Sequence, residues 1–136
     1  LKPRHLILNQ KTGLVHIIDF ELAIKRGGII KGISKEHASP EQLQMLNYLK
    51  DLPRKVHYEA ISSTVRLDGK TDLYSLGLIL YQIVTKKLWQ TEKVLPSKIN
   101  SHISQKLEEI VSGLLEANPA HRIPSAEELK KALCSI

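Results

Sequence analysis

The stretch that decides the fold is Asp72-Leu73-Tyr74-Ser75-Leu76-Gly77-Leu78-Ile79-Leu80-Tyr81-Gln82-Ile83-Val84. Its apolar side chains fall on every side of a helical wheel, which predicts a buried helix. Thr71 or Asp72 is expected to cap this helix, because either side chain can accept from the free amides of the first turn. The longest apolar run, residues 76–84, is far too short to cross a bilayer. The sequence therefore predicts a central helix that is excluded from water because the other elements pack against it.

The residues before this helix predict a hairpin, a long loop and an amphipathic helix. Two short apolar runs, residues 6–8 and 14–18, flank a turn that contains glycine, as in a β-hairpin. Residues 25–39 hold three glycines and mixed charges, which is typical of a loop. Leucines recur at every third position in residues 43–52, just before a proline, and predict a helix that the proline ends. Residues 54–70 are polar and irregular, and we expect a further loop there.

Two more helices are expected near the end of the chain. Ser104 precedes apolar residues spaced by three and four, and can cap the first of them. Ser125 followed by Glu128 fits the serine-x-x-glutamate capping box of the second. One hairpin, one long loop and otherwise only helices make a mainly α fold.

Composition indicates a single folded domain and gives little support to a nucleic-acid-binding protein. The length of 136 residues is typical of one domain. The chain carries 20 Lys and Arg against 14 Asp and Glu, which gives a net charge of +6. The basic residues are scattered, so they are read first as a solvated surface and second as an attraction to phosphate. A helical nucleic-acid-binding domain has only this charge in its favour, since aromatic residues make up 4%. The one cysteine, Cys134, permits no intrachain disulfide, which fits a reducing, cytoplasmic location.

Five segments resemble the eukaryotic-type serine/threonine protein kinase family, and they occur in the family's order. They are Leu1-Lys2-Pro3-Arg4-His5-Leu6-Ile7-Leu8 for the end of the catalytic loop, Asp19-Phe20-Glu21 for Asp-Phe-Gly, Ser39-Pro40-Glu41 for Ala-Pro-Glu, Asp72-Leu73-Tyr74-Ser75-Leu76-Gly77 for the start of the central helix, and Pro119-Ala120-His121-Arg122 near the lobe's end. Each motif alone is weak, but together they span nearly the whole chain. The resemblance implies a kinase-like C-terminal lobe with a hairpin, an activation-type loop and a buried central helix.

The resemblance also implies roles for single residues in binding ATP and magnesium. Asp19 takes the position of the aspartate that holds magnesium against the nucleotide phosphates. Lys2 takes that of the lysine near the transferred phosphate, and Ser34 that of an activation-segment hydroxyl that contacts the catalytic loop. Ile7 would lie under the adenine. Ile79 and Ile83 of the central helix are expected to pack beneath Leu6 and Ile7.

Two positions depart from the family. His5 stands where the family has an asparagine that binds a second magnesium, and imidazole is a poor ligand for so hard a cation. We therefore favour the interpretation of His5 as a packed or hydrogen-bonding histidine over its interpretation as a metal ligand. Glu21 replaces a glycine whose backbone bends freely. It could add a carboxylate to the metal site, but we favour loss of normal switching.

Four residues are implied as structural. Glu41 and Arg122 are expected to form a buried ion pair that ties down the 23-residue activation segment, residues 19–41. Asp72 is expected to turn its carboxylate toward backbone amides of the catalytic loop. Phe20 is the fourth residue that the resemblance implies as structural. The 30 residues 42–71 exceed the family's usual connection, and the helix within them is either a family insertion or a partner-binding element.

The functional expectation is a partial kinase domain over residues 1–136, with the amino-terminal lobe and the start of the catalytic loop absent. The parent would transfer the ATP γ-phosphate to a protein serine or threonine, while this portion alone would be inactive. The alternative is a pseudokinase scaffold or protein-interaction module, which His5 and Glu21 favour. The expected partners are a protein substrate or partner and the missing lobe, with neither nucleic acid nor a membrane segment.

Overall fold

The computed structural model describes residues 1–51 and 64–136. Short 3₁₀ turns lie at Pro3–His5 and Lys35–His37. The remaining elements are β1 (Leu6–Leu8), β2 (Val15–Ile17), α1 (Pro40–Asp51), α2 (Gly69–Thr85), α3 (Trp89–Glu92), α4 (Pro96–Ile99), α5 (Gln105–Leu114) and α6 (Ala126–Leu133). The mainly helical class, with one two-stranded antiparallel sheet, is the predicted C-lobe architecture and is confirmed. In this part of the chain, no helix has both the length and the apolar character needed to span a membrane.

The hairpin forms where the sequence predicts it. Leu6 pairs with Ile17 and Leu8 with Val15 in antiparallel register. The turn is closed by Asn9, whose carboxamide oxygen accepts from the backbone N–H groups of Lys11 and Thr12.

The central helix α2 is buried, as predicted. Nine of its residues are buried. Leu78 and Tyr81 belong to an apolar cluster shared with α5, and Leu73 belongs to a second cluster shared with α5 and α6. The predicted cap is wrong: the helix begins at Gly69, and the Asp68 carboxylate accepts from the Lys70 N–H at 2.9 Å. The apolar run begins only at Leu73, so periodicity does not detect the polar first turn.

Helix α1 begins earlier than its leucine pattern indicates. Ser39 and Gln42 cap it reciprocally: the Ser39 N–H donates to the Gln42 side-chain oxygen at 3.0 Å, and the Gln42 N–H donates to the Ser39 hydroxyl at 3.3 Å. Pro40 occupies the first helical position, where its missing N–H is not needed. The predicted end at Leu52 and Pro53, and most of the predicted loop 54–70, lie outside the described residues.

The last two predicted helices are present with the expected serine caps. Ser104 accepts from the Leu107 N–H and Ser125 accepts from the Glu128 N–H. The carboxylate of Glu128, which belongs to the predicted capping box at Ser125, binds the Lys131 ammonium group at 2.8 Å. The short helices α3 and α4 were not predicted. Trp89 of α3 packs its ring edge-on against Tyr81 of α2, with centroids 5.2 Å apart.

Candidate functional site

One cavity gathers most of the residues that the sequence singles out. It has a volume of about 540 Å³ and lies between the hairpin, the loop that follows it and the first turn of α2. Six predicted site residues are among those that line it: Lys2, His5, Asp19, Phe20, Ser34 and Asp72. Residues from three separate segments of the sequence therefore meet at one concave surface.

Asp19 is held in an unusual backbone conformation at this cavity. Its φ is +62°, in the left-handed region that aspartate tolerates better than most residues. The Asp19 carboxylate accepts from the Glu21 N–H at 3.4 Å, which turns the chain sharply at the start of the loop. The side chain is 44% exposed, so a ligand in the cavity could reach it.

His5 contacts the second oxygen of the same carboxylate. Its Nε2 lies 3.1 Å from Asp19 Oδ2, and the His5 side chain is 16% exposed. The structure thus places His5 within hydrogen-bond distance of Asp19, and its exclusion as a metal ligand stays a prediction. Glu21 is exposed beside this pair.

These donors fit one magnesium ion and not two. Across residues 1–51 and 64–136, no three His, Cys, Asp or Glu side chains are grouped closely enough to hold a metal ion. Magnesium needs only one or two carboxylates when nucleotide phosphates supply other oxygens, and Asp19 could provide one. The neighbouring imidazole offers nitrogen where a second magnesium would require oxygen.

The other residues predicted around the nucleotide position differ in how far they are exposed. Lys2 and Ser34 are half-buried at the cavity wall. Ile7 is 48% exposed on β1 and Phe20 is 68% exposed, so each presents an apolar surface. The expected packing of Ile83 beneath the hairpin is wrong, because Ile83 is 55% exposed and borders, with Leu6 and Ile79, an open cavity of about 520 Å³.

Glu41 and Arg122 form the buried pair that the sequence predicts. Two parallel bonds of 2.7 Å join the guanidinium to both carboxylate oxygens, and the Arg122 side chain is fully buried. Thr71 at the start of α2 also donates to Glu41, at 3.0 Å. Burial is the largest single influence and would raise the pKa of Glu41. The hydrogen bonds from Arg122, the backbone and Thr71, together with the charge of Arg122, outweigh burial and hold that pKa below its ordinary value of 4.5.

The Asp72 carboxylate does not make the predicted bonds with the loop. The carboxylate lies 3.7 Å from the Leu1 backbone nitrogen, beyond hydrogen-bond distance, and the side chain is 66% exposed. Its role as an anchor stays a prediction.

Two contacts that the sequence does not predict hold the end of the loop to the helices. The Ser75 hydroxyl donates to the His37 carbonyl at 2.7 Å, and the Gln90 amide donates to the Glu36 carbonyl. Ser75 and Thr71 lie one turn apart on α2, so two hydroxyls face the loop from an otherwise apolar helix. Their i, i+4 spacing among leucines is the signal that could have revealed this face.

The comparisons with known proteins point to one family. No family model matches the chain. Among curated proteins, the chain is 32% identical to the serine/threonine-protein kinase PknD of Chlamydia trachomatis over 98% of its length, and 28% identical to PksC of Streptomyces coelicolor over 96%. It is 26% identical to pkn3 of Myxococcus xanthus over its full length. The chain spans 16%, 24% and 27% of these three relatives respectively.

The fold, the order of the motifs and these matches agree. The chain is similar to serine/threonine protein kinases over nearly its whole length, and its mainly helical fold with one hairpin is consistent with the architecture of their C-terminal lobe.

Proposed function

We propose that this chain is the C-terminal lobe of a serine/threonine protein kinase, whose complete protein transfers the γ-phosphate of ATP to a serine or threonine of a protein substrate. The observation that carries the proposal is the cavity at which Lys2, Asp19 and Ser34 meet. Phosphoryl transfer depends mainly on positioning and on neutralising charge, and these side chains supply a carboxylate, an ammonium group and a hydroxyl.

Each residue has a distinct part in this proposal. Asp19 would hold one magnesium ion, which neutralises phosphate charge when bound. Lys2 would orient the transferred phosphate from the cavity wall, and Ser34 would tie the activation segment to the catalytic loop. Ile7, exposed on β1, would lie under the adenine.

The isolated 136 residues are proposed to be inactive. ATP in this fold lies between two lobes, and the C-terminal lobe provides half of that pocket. The proposal therefore requires an amino-terminal lobe and a protein substrate as partners. It also implies action in the cytoplasm, where ATP and protein substrates are both available.

The test uses the full-length protein that contains this chain. Phosphate transfer from radiolabelled ATP to a generic basic protein should require magnesium, and Asp19→Ala should lower it about 100-fold or more. The control is Glu127→Ala, an exposed carboxylate of α6, which should leave transfer unchanged. Equal activity of the wild type and Asp19→Ala would contradict the proposal.

A pseudokinase scaffold is the second candidate, and the His5–Asp19 contact favours it. The contact at 3.1 Å engages an oxygen that magnesium would otherwise use. On this reading the full-length protein transfers no phosphate, and magnesium with ATP leaves its melting temperature unchanged. Phosphate transfer that Asp19→Ala abolishes would exclude the scaffold.

A further inference from the structure

The middle of the activation segment packs against the region that follows Glu41. Four buried residues form the centre of this contact, with exposures between 0% and 8%: Ile30, Met45, Val65 and Leu67. Half-buried residues surround them on both sides: Ile24, Ile29, Ile33, Leu46 and Leu49. Helix α1 and the segment Val65–Leu67 thus cover residues 24–33 of the loop with apolar side chains.

A backbone hydrogen bond fixes the same contact. The Gly27 N–H donates to the Leu67 carbonyl at 2.8 Å. Gly27 has a φ of +74° within a turn closed by the Gly28 N–H and the Lys25 carbonyl at 2.8 Å. A side chain at Gly28 would approach that carbonyl to 2.8 Å, so the turn needs glycine there.

These contacts differ in kind from those that commonly order such loops. Kinase activation loops are often ordered by phosphorylation, which creates new pairs between arginine and phosphate. Here the centre of the contact is apolar and fully formed by side chains of the chain itself. Among the residues that the structure describes, the ion pair near this contact joins Arg26 with Asp68 at 3.9 Å, and it adds little because the Arg26 side chain is 71% exposed.

We propose that α1 and the segment Val65–Leu67 act as a built-in clamp that holds residues 24–33 in place without phosphorylation. The clamp is defined by Met45, Leu46, Leu49, Val65 and Leu67. A role for α1 as a partner-binding element is then excluded on its inner face, which the loop already occupies. The clamp rests on the proposed function only in what it implies for regulation. Its test measures proteolysis and not phosphate transfer, so the clamp and the proposed function can each fail without the other.

The first test uses limited trypsin digestion of the unphosphorylated chain, its phosphorylation state checked by intact mass. Lys31 lies exposed inside the clamped region, and cleavage after it reports release of the loop. Gly27→Ala should raise the initial rate of this cleavage about tenfold, because an L-residue is disfavoured at positive φ while nothing lies within 4 Å of the new methyl group.

Gly13→Ala is the matched control. Gly13 has a φ of +71° and the same open surroundings, but it lies in the hairpin turn. It should carry a similar backbone penalty without changing cleavage after Lys31. Equal acceleration by both variants would overturn the proposal, because it would show general loosening.

A second variant tests the apolar contact directly. Met45→Ala should accelerate cleavage after Lys31 by about tenfold or more, because Met45 is fully buried in the cluster. Leu43→Ala, on the exposed side of the same helix, should leave the rate unchanged. If the unphosphorylated wild type is cut as fast as both Gly27→Ala and Met45→Ala, no clamp operates and the proposal is wrong.

Discussion

Arg122 uses every hydrogen-bond donor of its guanidinium. Two N–H groups bind Glu41, and the others bind the carbonyls of Lys70, Glu116 and Ala117 at 2.7–3.1 Å. Its guanidinium carbon also lies 4.7 Å from the Tyr74 ring centroid, within cation–π distance. A buried charge is tolerated when it is paired and its donors are satisfied, and both conditions hold here.

Removing this side chain should destabilise the lobe strongly. Arg122→Ala leaves the Glu41 carboxylate buried without its partner, and we expect a loss of about 3–5 kcal/mol in the free energy of unfolding. Arg66→Ala, at an exposed position, should cost less than about 0.5 kcal/mol. Urea unfolding followed by circular dichroism measures both, and equal losses would contradict the buried pair.

Two buried titratable residues should give the stability two separate pH windows. Burial lowers the pKa of His37 from 6.5, so the unfolded chain binds the proton more tightly and stability falls as pH drops below about 6.5. Glu41 has a folded pKa below 4.5, so its contribution is present above pH 4.5 and is lost as pH falls through the folded pKa.

Urea unfolding at a series of pH values separates these windows. His37→Gln should flatten the slope just below pH 6.5, and Glu41→Gln should flatten the slope below pH 4.5. Glu116→Gln, an exposed carboxylate, serves as the control and should retain both slopes. A wild-type profile that is flat from pH 7 to 5 would refute the assignment to His37.

At the scale of elements, α2 and α5 approach each other through a glycine. A methyl group on Gly77 would lie 2.7 Å from Leu114 Cβ and 3.2 Å from a Leu115 methyl group. The two helices can therefore pack at this distance only without a side chain at that position.

Gly77→Ala should overpack this crossing and cost about 1–3 kcal/mol. Gly69→Ala is the control within the same helix, because nothing lies within 4 Å of its new methyl group. The control should be neutral or stabilising by about 0.5–1 kcal/mol, since alanine lowers the entropy of the unfolded chain. Thermal unfolding distinguishes the two, and equal stability of both variants would mean that the helices are further apart.

Local patterns in the sequence predict the elements better than their contacts. The helices α2, α5 and α6 follow from apolar spacing and serine caps, both of which act within a few residues. The packing of Ile30 against Met45 and Val65 could not be predicted, because isoleucines between glycines show no period and their partners are distant in sequence. Likewise, the Glu41–Arg122 contact was accessible only through the order of motifs, and the His5–Asp19 contact depends on a backbone turn that no pattern encodes.

At the scale of the whole molecule, the hairpin side is apolar and exposed. Large side chains there are 45–68% exposed: Ile7, Leu8, Leu14, Val15, Ile17, Ile18 and Phe20. Exposed apolar surface of this kind favours binding of hydrophobic molecules.

The isolated chain should therefore bind a hydrophobic dye while folded. Replacing the cross-strand pair Leu8 and Val15 by threonine should lower dye fluorescence, because both side chains are more than half exposed. Leu133→Thr in α6 is the control and should change it little. Absence of dye binding by the folded wild type would contradict the exposure of the hairpin.

The guanidinium–carboxylate pair has a consequence for how the chain is made. Its two residues are 81 positions apart, and at about 5–20 residues per second a ribosome needs roughly 4–16 s to synthesise the intervening chain. Throughout that interval Glu41 lacks Arg122, so the nascent loop stays open to chaperones and proteases. Final locking therefore awaits the synthesis of Arg122, and slow translation between the two residues would prolong the vulnerable state.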